Sequence, residues 1–250
     1  MNKSNSDDYS DFLKRQTKNS FIEKFHNWNN RQMLKAFVKH TKIIPSEHRI
    51  IEIGAGTGRG GKGVLSLGFK EYLGVEPSDV LADHCEGLNL PILRESLPKL
   101  SSIKTDSWDV LFAFHVIEHA PNYQDAVLWV NEIIRALKPG GILFLIAPDI
   151  RSCKEYFWDA DRTHGFPTTP YRVSQLLLSS DTEVIVSTTF QIGSTSGLSK
   201  TLSRFSSILI PTRLLDSIAL RFSGRPLISG FQMASLWTST FVIAQKRSLE

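Results

Sequence analysis

The sequence predicts an α/β fold, a mostly parallel sheet with helices on both faces. Three observations carry that expectation. Short apolar runs alternate with stretches of helical spacing from residue 49 to residue 147. The first run, Arg49–Ile53, ends in the glycine-rich segment Gly54-Ala-Gly-Thr-Gly58 and passes straight into a helical stretch. Two acids, Glu52 and Glu76, stand at the ends of the first two runs, and ligands of open parallel sheets sit outside the carboxyl ends of the strands.

Residues 1–20 are rich in Asn, Ser, Asp and Lys and are expected to form a flexible N-terminus. Between Phe21 and Val38, apolar residues recur at near-helical spacing, which predicts one or two helices in a cap covering residues 21–48. The core is expected over residues 49–190. It starts with a strand at Arg49–Ile53, a helix from Gly60 to Leu67, a strand at Tyr72–Val75 and a helix from Ser78 to Cys85. Strands near Leu90–Leu93 and at Trp108–Phe114 come next, then a helix from Tyr123 to Leu137 and a strand at Ile142–Ala147. In Lys138-Pro-Gly-Gly141, proline stops the helix and the paired glycines allow a tight reversal. A helix at Pro170–Ser180 and a strand at Glu183–Phe190 complete the core. An insertion or lid is expected at 191–233, and the last strand, Leu236–Ala244, lies in the closing segment 234–250.

A chain of 250 residues, 41% hydrophobic and 22% charged, suits one globular domain with a cap or insertion. The net charge of +4 comes without a dense Lys/Arg block, so no nucleic-acid partner is expected. Cys85 and Cys153 lie far apart and read as free thiols in a reducing compartment. There is no secretory signal at the start and no run of ~20 apolar residues, so the chain reads as cytosolic. Within the insertion, Pro211–Phe222 is amphipathic, with Leu214, Leu215, Ile218, Ala219 and Phe222 on one face and Arg213 and Arg221 available to the other. The stretch 204–225 is therefore a candidate for peripheral membrane contact, with core packing or a dimer contact as the plainer alternative.

Gly56-Thr-Gly-Arg-Gly-Gly61 also matches the dinucleotide fingerprint G-x-G-x-x-G, a weak signal alone. An anionic Glu52 beside the loop would repel a pyrophosphate, whereas a ligand with an ammonium, a sulfonium and one carboxylate suits it. Glu52, Glu76 and the Lys138-Pro-Gly-Gly141 turn together resemble the class I S-adenosylmethionine-dependent methyltransferases, best over residues 49–148. The resemblance implies a Rossmann-like, seven-stranded sheet and S-adenosyl-L-methionine as cofactor. It implies that the loop residues Gly54, Ala55, Gly56 and Gly58 hold the cofactor, with Glu76 and the adjoining Pro77 at its ribose. Leu93-Arg-Glu-Ser-Leu-Pro98 matches the stretch beside the adenine, where relatives commonly carry Asp in place of Leu93. Arg94 or Glu95, by side chain or backbone, is the expected substitute. Phe114 and His115 match positions that flank the cofactor.

A hydroxyl acceptor needs its proton removed, which calls for a base or a metal. His115-Val-Ile-Glu118-His119 resembles the Glu-His signature of methyltransferases related to the quinone-biosynthesis O-methyltransferases. Some of those hold a divalent metal through an acid at the position of His115, and no metal is assigned here from the sequence. Asp161-Arg-Thr-His164 resembles the Asp-x-Thr-His loop of the same broad bacterial group, many of which act on sugars or on cell-surface and secondary-metabolite pathways. Glu118, His119, Asp161 and His164 are therefore the candidate catalytic residues. His119 or His164 is the candidate base, and Asp161 is expected to orient His164. The plainer alternatives are a helix-entry hydrogen-bond pair at Glu118 and His119, and a loop tie at Asp161 and His164. Tyr156, Phe157 and Trp158 are candidates for lining an acceptor pocket. The expected function is methyl transfer to a small-molecule or glycan hydroxyl. An NAD(P)-dependent oxidoreductase and a catalytically silent binding protein are the rivals.

Overall fold

Seven strands form one sheet among the described residues, which in this computed structural model are 20–159, 161–191, 218, 221–222 and 238–248. The strands are β1 (Arg49–Ile53), β2 (Glu71–Val75), β3 (Ile92–Leu93), β4 (Trp108–Phe114), β5 (Leu137–Pro148), β6 (Thr182–Gln191) and β7 (Thr238–Lys246). Their order across the sheet is β3-β2-β1-β4-β5-β7-β6. The first five pair in parallel, and β7 runs antiparallel to both β5 and β6. The helices are α1 (Ser20–Thr41), α2 (Arg59–Ser66), α3 (Asp79–Glu86), α4 (Tyr123–Ala136), α5 (Ile150–Cys153), α6 (Tyr156–Asp159) and α7 (Pro170–Leu178).

The two-residue period of a strand sorts each apolar run onto two faces. Ile51, Ile53, Leu111, Leu143 and Leu145 pack with Val130 and Ile133 of α4 and Val173 of α7. Ile50, Phe112 and Phe144 pack on the opposite face with Leu34 and Phe37 of α1 and Val64 of α2. The same alternation turns Glu52, next to Ile51 and Ile53, toward the face that α1 and α2 cover. The cap is a single helix, Ser20–Thr41, where the sequence allowed one or two. Most of the expected insertion 191–233, including most of the 204–225 stretch, lies outside the described residues, while Gln191 ends β6. Among the described residues no helix is long and apolar enough to cross a membrane.

Most boundaries shift by one or two residues from expectation, and the largest shift is at the start of β5. Helix α4 ends at Ala136, and Leu137 already pairs with Trp108 while Ile142 pairs with Val110. Residues 138–141 are thus a bulge within β5, opposite Asp109 alone, with Gly140 at φ +76°. Lys138 Nζ donates to Asp109 Oδ1 at 2.5 Å and holds the bulge against β4. The start of α4 follows its sequence closely. Asn122 caps it by accepting the Asp125 N–H at 3.0 Å, and its own side-chain amide donates to Asp125 Oδ2 at 2.7 Å. Asn122→Ala should therefore cost about 1 kcal/mol in a urea titration, with the slope of the transition unchanged.

Candidate active site

The glycine loop is shaped by its own backbone. Gly54, Gly56 and Gly58 all have positive φ (+76°, +55° and +74°), which only glycine adopts freely. A side-chain carbon at Gly54 would lie 2.6 Å from Val116 Cγ2, so the loop after β1 packs directly on the turn after β4. At Gly56 the same carbon would meet only the Gly54 carbonyl at 3.9 Å, leaving that face of the loop open. Most loop amides are already engaged. The N–H groups of Gly54 and Ala55 donate to the Val75 carbonyl and that of Gly58 to the Ala55 carbonyl. The Gly56 N–H donates to Glu76 Oε2 at 2.8 Å. An anionic group at this loop therefore meets the N-terminus of α2 rather than those four amides.

Glu76 sits at the end of β2, 5% exposed. Its second oxygen accepts the Ser78 N–H at 2.9 Å. Burial raises its pKa, and the N–H groups of Ser78 and Gly56 oppose that rise. Each oxygen thus has one amide to fix it and further acceptor capacity beside the open face of Gly56. Glu52 is placed differently. It is 2% exposed, and Tyr72 Oη donates to its Oε2 at 2.5 Å. The Gly61 N–H also donates to it. Burial pushes the Glu52 carboxyl up to about 8 against the opposing Tyr72 bond, so at neutral pH it is mostly a neutral acid. The expected repulsion of a pyrophosphate by an anionic Glu52 is therefore weakened by the burial that favours its neutral form. What separates the fold from dinucleotide sheets of order 3-2-1-4-5-6 is the antiparallel β7 between β5 and β6.

The second half of the site gathers where β4 ends. His115 leaves the strand with φ +57°, an uncommon conformation for a residue with a side chain, and its ring Nδ1 lies 3.1 Å from Glu118 Oε1. Residues Ile117–His119 form a 3-10 turn in which Glu118 is fully buried. The Glu118 carbonyl accepts the N–H groups of Gly165 and Phe166 at 2.9 and 3.0 Å. A side-chain carbon at Gly165 would lie 2.5 Å from the Ala120 carbonyl oxygen, so only glycine permits this approach. That close seam brings His164 beside His119, with ring centroids 4.9 Å apart.

Hydrogen bonds fix the tautomer of both rings. The Thr163 hydroxyl donates to Asp161 Oδ1 at 2.6 Å, so at 2.7 Å from His119 Nδ1 it accepts the ring's proton. The Phe157 carbonyl can only accept, so the Nδ1–H of His164, 2.5 Å away, donates to it. In the neutral form both rings therefore carry their lone pair on Nε2. Burial lowers the His119 pKa against the attraction of Glu118. At Glu118, burial would raise the pKa, but the His115 hydrogen bond and the charges of the three histidine rings leave it below the usual carboxylate range.

Residues 51–143 match a protein family described as a methyltransferase domain. Similar solved structures share the chain's fold at low identity. The YcgJ protein from Bacillus subtilis is 16% identical with a TM-score of 0.59, covering 88% of this chain and 99% of that one. A putative sarcosine dimethylglycine methyltransferase from Galdieria sulphuraria is 14% identical with a TM-score of 0.61, covering 92% and 88%. The phosphoethanolamine N-methyltransferase 2 of Haemonchus contortus, solved with phosphomonomethylethanolamine and S-adenosylhomocysteine, is 16% identical with a TM-score of 0.59, covering 87% and 52%. No curated protein matches the chain in sequence.

Within residues 51–143, Gly54, Ala55, Gly56, Gly58 and Glu76 meet at one edge of the sheet, with Pro77 exposed beside them. Phe114 packs against Phe112 and Phe144, at ring distances of 4.8 and 5.2 Å. The Arg94 guanidinium is held by Asp83 and Glu86 of α3 at 2.7 and 2.8 Å. Glu95 accepts from the N–H and hydroxyl of Ser102. The Arg94 side chain is thus engaged with α3, whereas Glu95 uses only Oε1 on Ser102, and its buried Oε2 has no hydrogen-bond partner among the described residues. Outside residues 51–143, Phe157 is buried and packs against His164 with ring centroids 4.7 Å apart and the rings tilted by 42°, whereas Trp158 is half exposed. Asp161 orients His119 through Thr163, whereas the His164 ring is oriented by Phe157, which corrects the expected Asp161–His164 pairing. Sequence reasoning missed Tyr72 and Thr163. Thr163 was already visible inside the Asp-x-Thr-His loop, while nothing local marks Tyr72 as the partner of Glu52.

Proposed function

We propose that the protein transfers the methyl group of S-adenosyl-L-methionine to a hydroxyl of a small molecule, a sugar, a lipid-linked glycan or a secondary metabolite. The observation that carries this reading is Glu76, a buried carboxylate fixed by two amides beside the open face of Gly56. Its remaining acceptor capacity suits a pair of ribose hydroxyls, and the N-terminus of α2 suits a carboxylate. The cofactor, when bound, supplies an electrophilic methyl group on a sulfonium. The chain's own part is to align the acceptor with that methyl and to draw off the hydroxyl proton. Glu118, His119 and His164 support the second task, because they cluster after β4, where the glycine loop rests on Val116. The solved Haemonchus contortus enzyme, with S-adenosylhomocysteine bound, supports the choice of cofactor. The exposure of Ile218 and Phe222 supports peripheral membrane contact by the 204–225 stretch. We place the chain in the cytosol.

Titration calorimetry with S-adenosylmethionine tests the reading. Micromolar binding is expected, and Glu76→Ala should weaken it about 30-fold, close to 2 kcal/mol for lost hydrogen bonds to a carboxylate. Equal affinity in the variant and the parent would remove the ribose assignment, and saturable NADH binding in place of S-adenosylmethionine would favour the oxidoreductase.

A further inference from the structure

We infer that Glu118, His119 and His164 form a binding site for one divalent transition-metal ion of the zinc class. One carboxylate oxygen and one ring nitrogen from each histidine lie within 4.8 Å of one another. Two imidazoles and one carboxylate are a donor set that suits such an ion, and three protein ligands leave a position open for another group.

Glu118 supplies the independent observation. Its side chain is fully buried, and its Oε2 has no hydrogen-bond partner among the described residues. A buried carboxylate oxygen without a partner is costly, and a cation removes that cost. The surroundings of the histidines point the same way. Each Nδ1–H is donated to a fixed acceptor, the Thr163–Asp161 pair for His119 and the Phe157 carbonyl for His164. Outer bonds of this kind orient ligand rings and keep the lone pair on Nε2. His115 is not needed as a ligand. Its ring bonds the other Glu118 oxygen, Oε1, and so holds the carboxylate in place.

Metal binding here stands on these contacts alone. Only the role of the ion rests on the methyl-transfer reading. An acceptor hydroxyl in the open position would be acidified by the cation and release its proton to solvent as the oxygen takes the methyl group, and the histidines would then serve as ligands rather than as the proton-accepting base.

The test uses the full chain, stripped with a chelator and titrated with Zn2+ by calorimetry and native mass spectrometry, with S-adenosylmethionine titrated separately. One Zn2+ per chain is expected, with Mg2+ at least 100-fold weaker because imidazole ligands disfavour it. Glu118→Gln and His164→Asn should each weaken Zn2+ binding at least 100-fold, and Thr163→Val about 10-fold to 100-fold through the His119 ring. Unchanged S-adenosylmethionine affinity in these variants would show that they are folded. Absence of stoichiometric Zn2+ binding, or parent-like Zn2+ affinity in Glu118→Gln and His164→Asn, overturns the metal site. Zn2+ binding without S-adenosylmethionine binding would keep the metal site and remove the cofactor reading instead.

Discussion

Gly60→Ala should cost the fold about 3–5 kcal/mol. The added carbon would lie 2.0 Å from Glu52 Oε1 and 2.7 Å from its Cδ. Glu52 has nowhere to go, since it is 2% exposed and held by the Tyr72 hydroxyl and the Gly61 N–H. Displacing it would add a lost buried hydrogen bond, about 1–3 kcal/mol, to an overpacking cost of similar size. Gly63→Ala, on the same helix, is the control. Its new carbon would meet only the Leu34 Cδ1 at 2.8 Å, and the gain in helix propensity of about 1 kcal/mol offsets that contact. Urea midpoints at constant slope compare the two. If Gly60→Ala were as stable as Gly63→Ala, the tight seating of Glu52 under α2 would be wrong.

The same carboxyl should make the fold lose stability as pH rises. Folded, Glu52 keeps its proton up to about pH 8, against a usual value of 4.5 in the unfolded chain. Between those values the native state binds the extra proton, so its stability is greatest below the lower value and falls through the higher one. The loss is on the order of 3–5 kcal/mol. Glu76, also raised, acts in the same sense. Glu118 and Asp109 have lowered values, so their contribution is already complete above pH 5 and does not offset the fall. His119, lowered from 6.5, opposes it only on the acid side of that value, which leaves pH 6.5–8 as the cleanest window. Glu52→Gln, which has no proton to lose, should flatten the profile there. Chemical denaturation at pH 5, 6.5 and 8 reads the slope, and a parent-like slope in Glu52→Gln would refute the assignment to this group.

The parallel half of the sheet was legible because strand and helix periods differ and glycine punctuates the first crossing. Arg49–Ile53 and Trp108–Phe114 match the expected strands at both ends. The reversal at residues 138–141 was legible as a turn but not as a bulge, since only pairing to Trp108 and Val110 reveals that the strand continues through it. At the site, residue types carried the reading and partners did not. His119 and His164 stood out by chemistry, but their meeting depends on the Gly165 backbone resting against Ala120 and Pro121. Glu52 stood out as an acid, but its neutral state depends on burial beside Tyr72, twenty residues away on the next strand. Such long-range contacts leave no periodic trace.

The last two strands have a consequence of another kind. Gln191, the end of β6, is paired with Thr238, the start of β7, and the Asp149 N–H after β5 donates to the Thr238 carbonyl. The chain between residues 192 and 237 therefore departs and returns through a single clasp, at the same sheet edge as His115 and Glu76. The points where residues 191 and 238 join the fold are thus set by the register of the β5-β7-β6 ladder, at the edge where the glycine loop and Glu76 also lie.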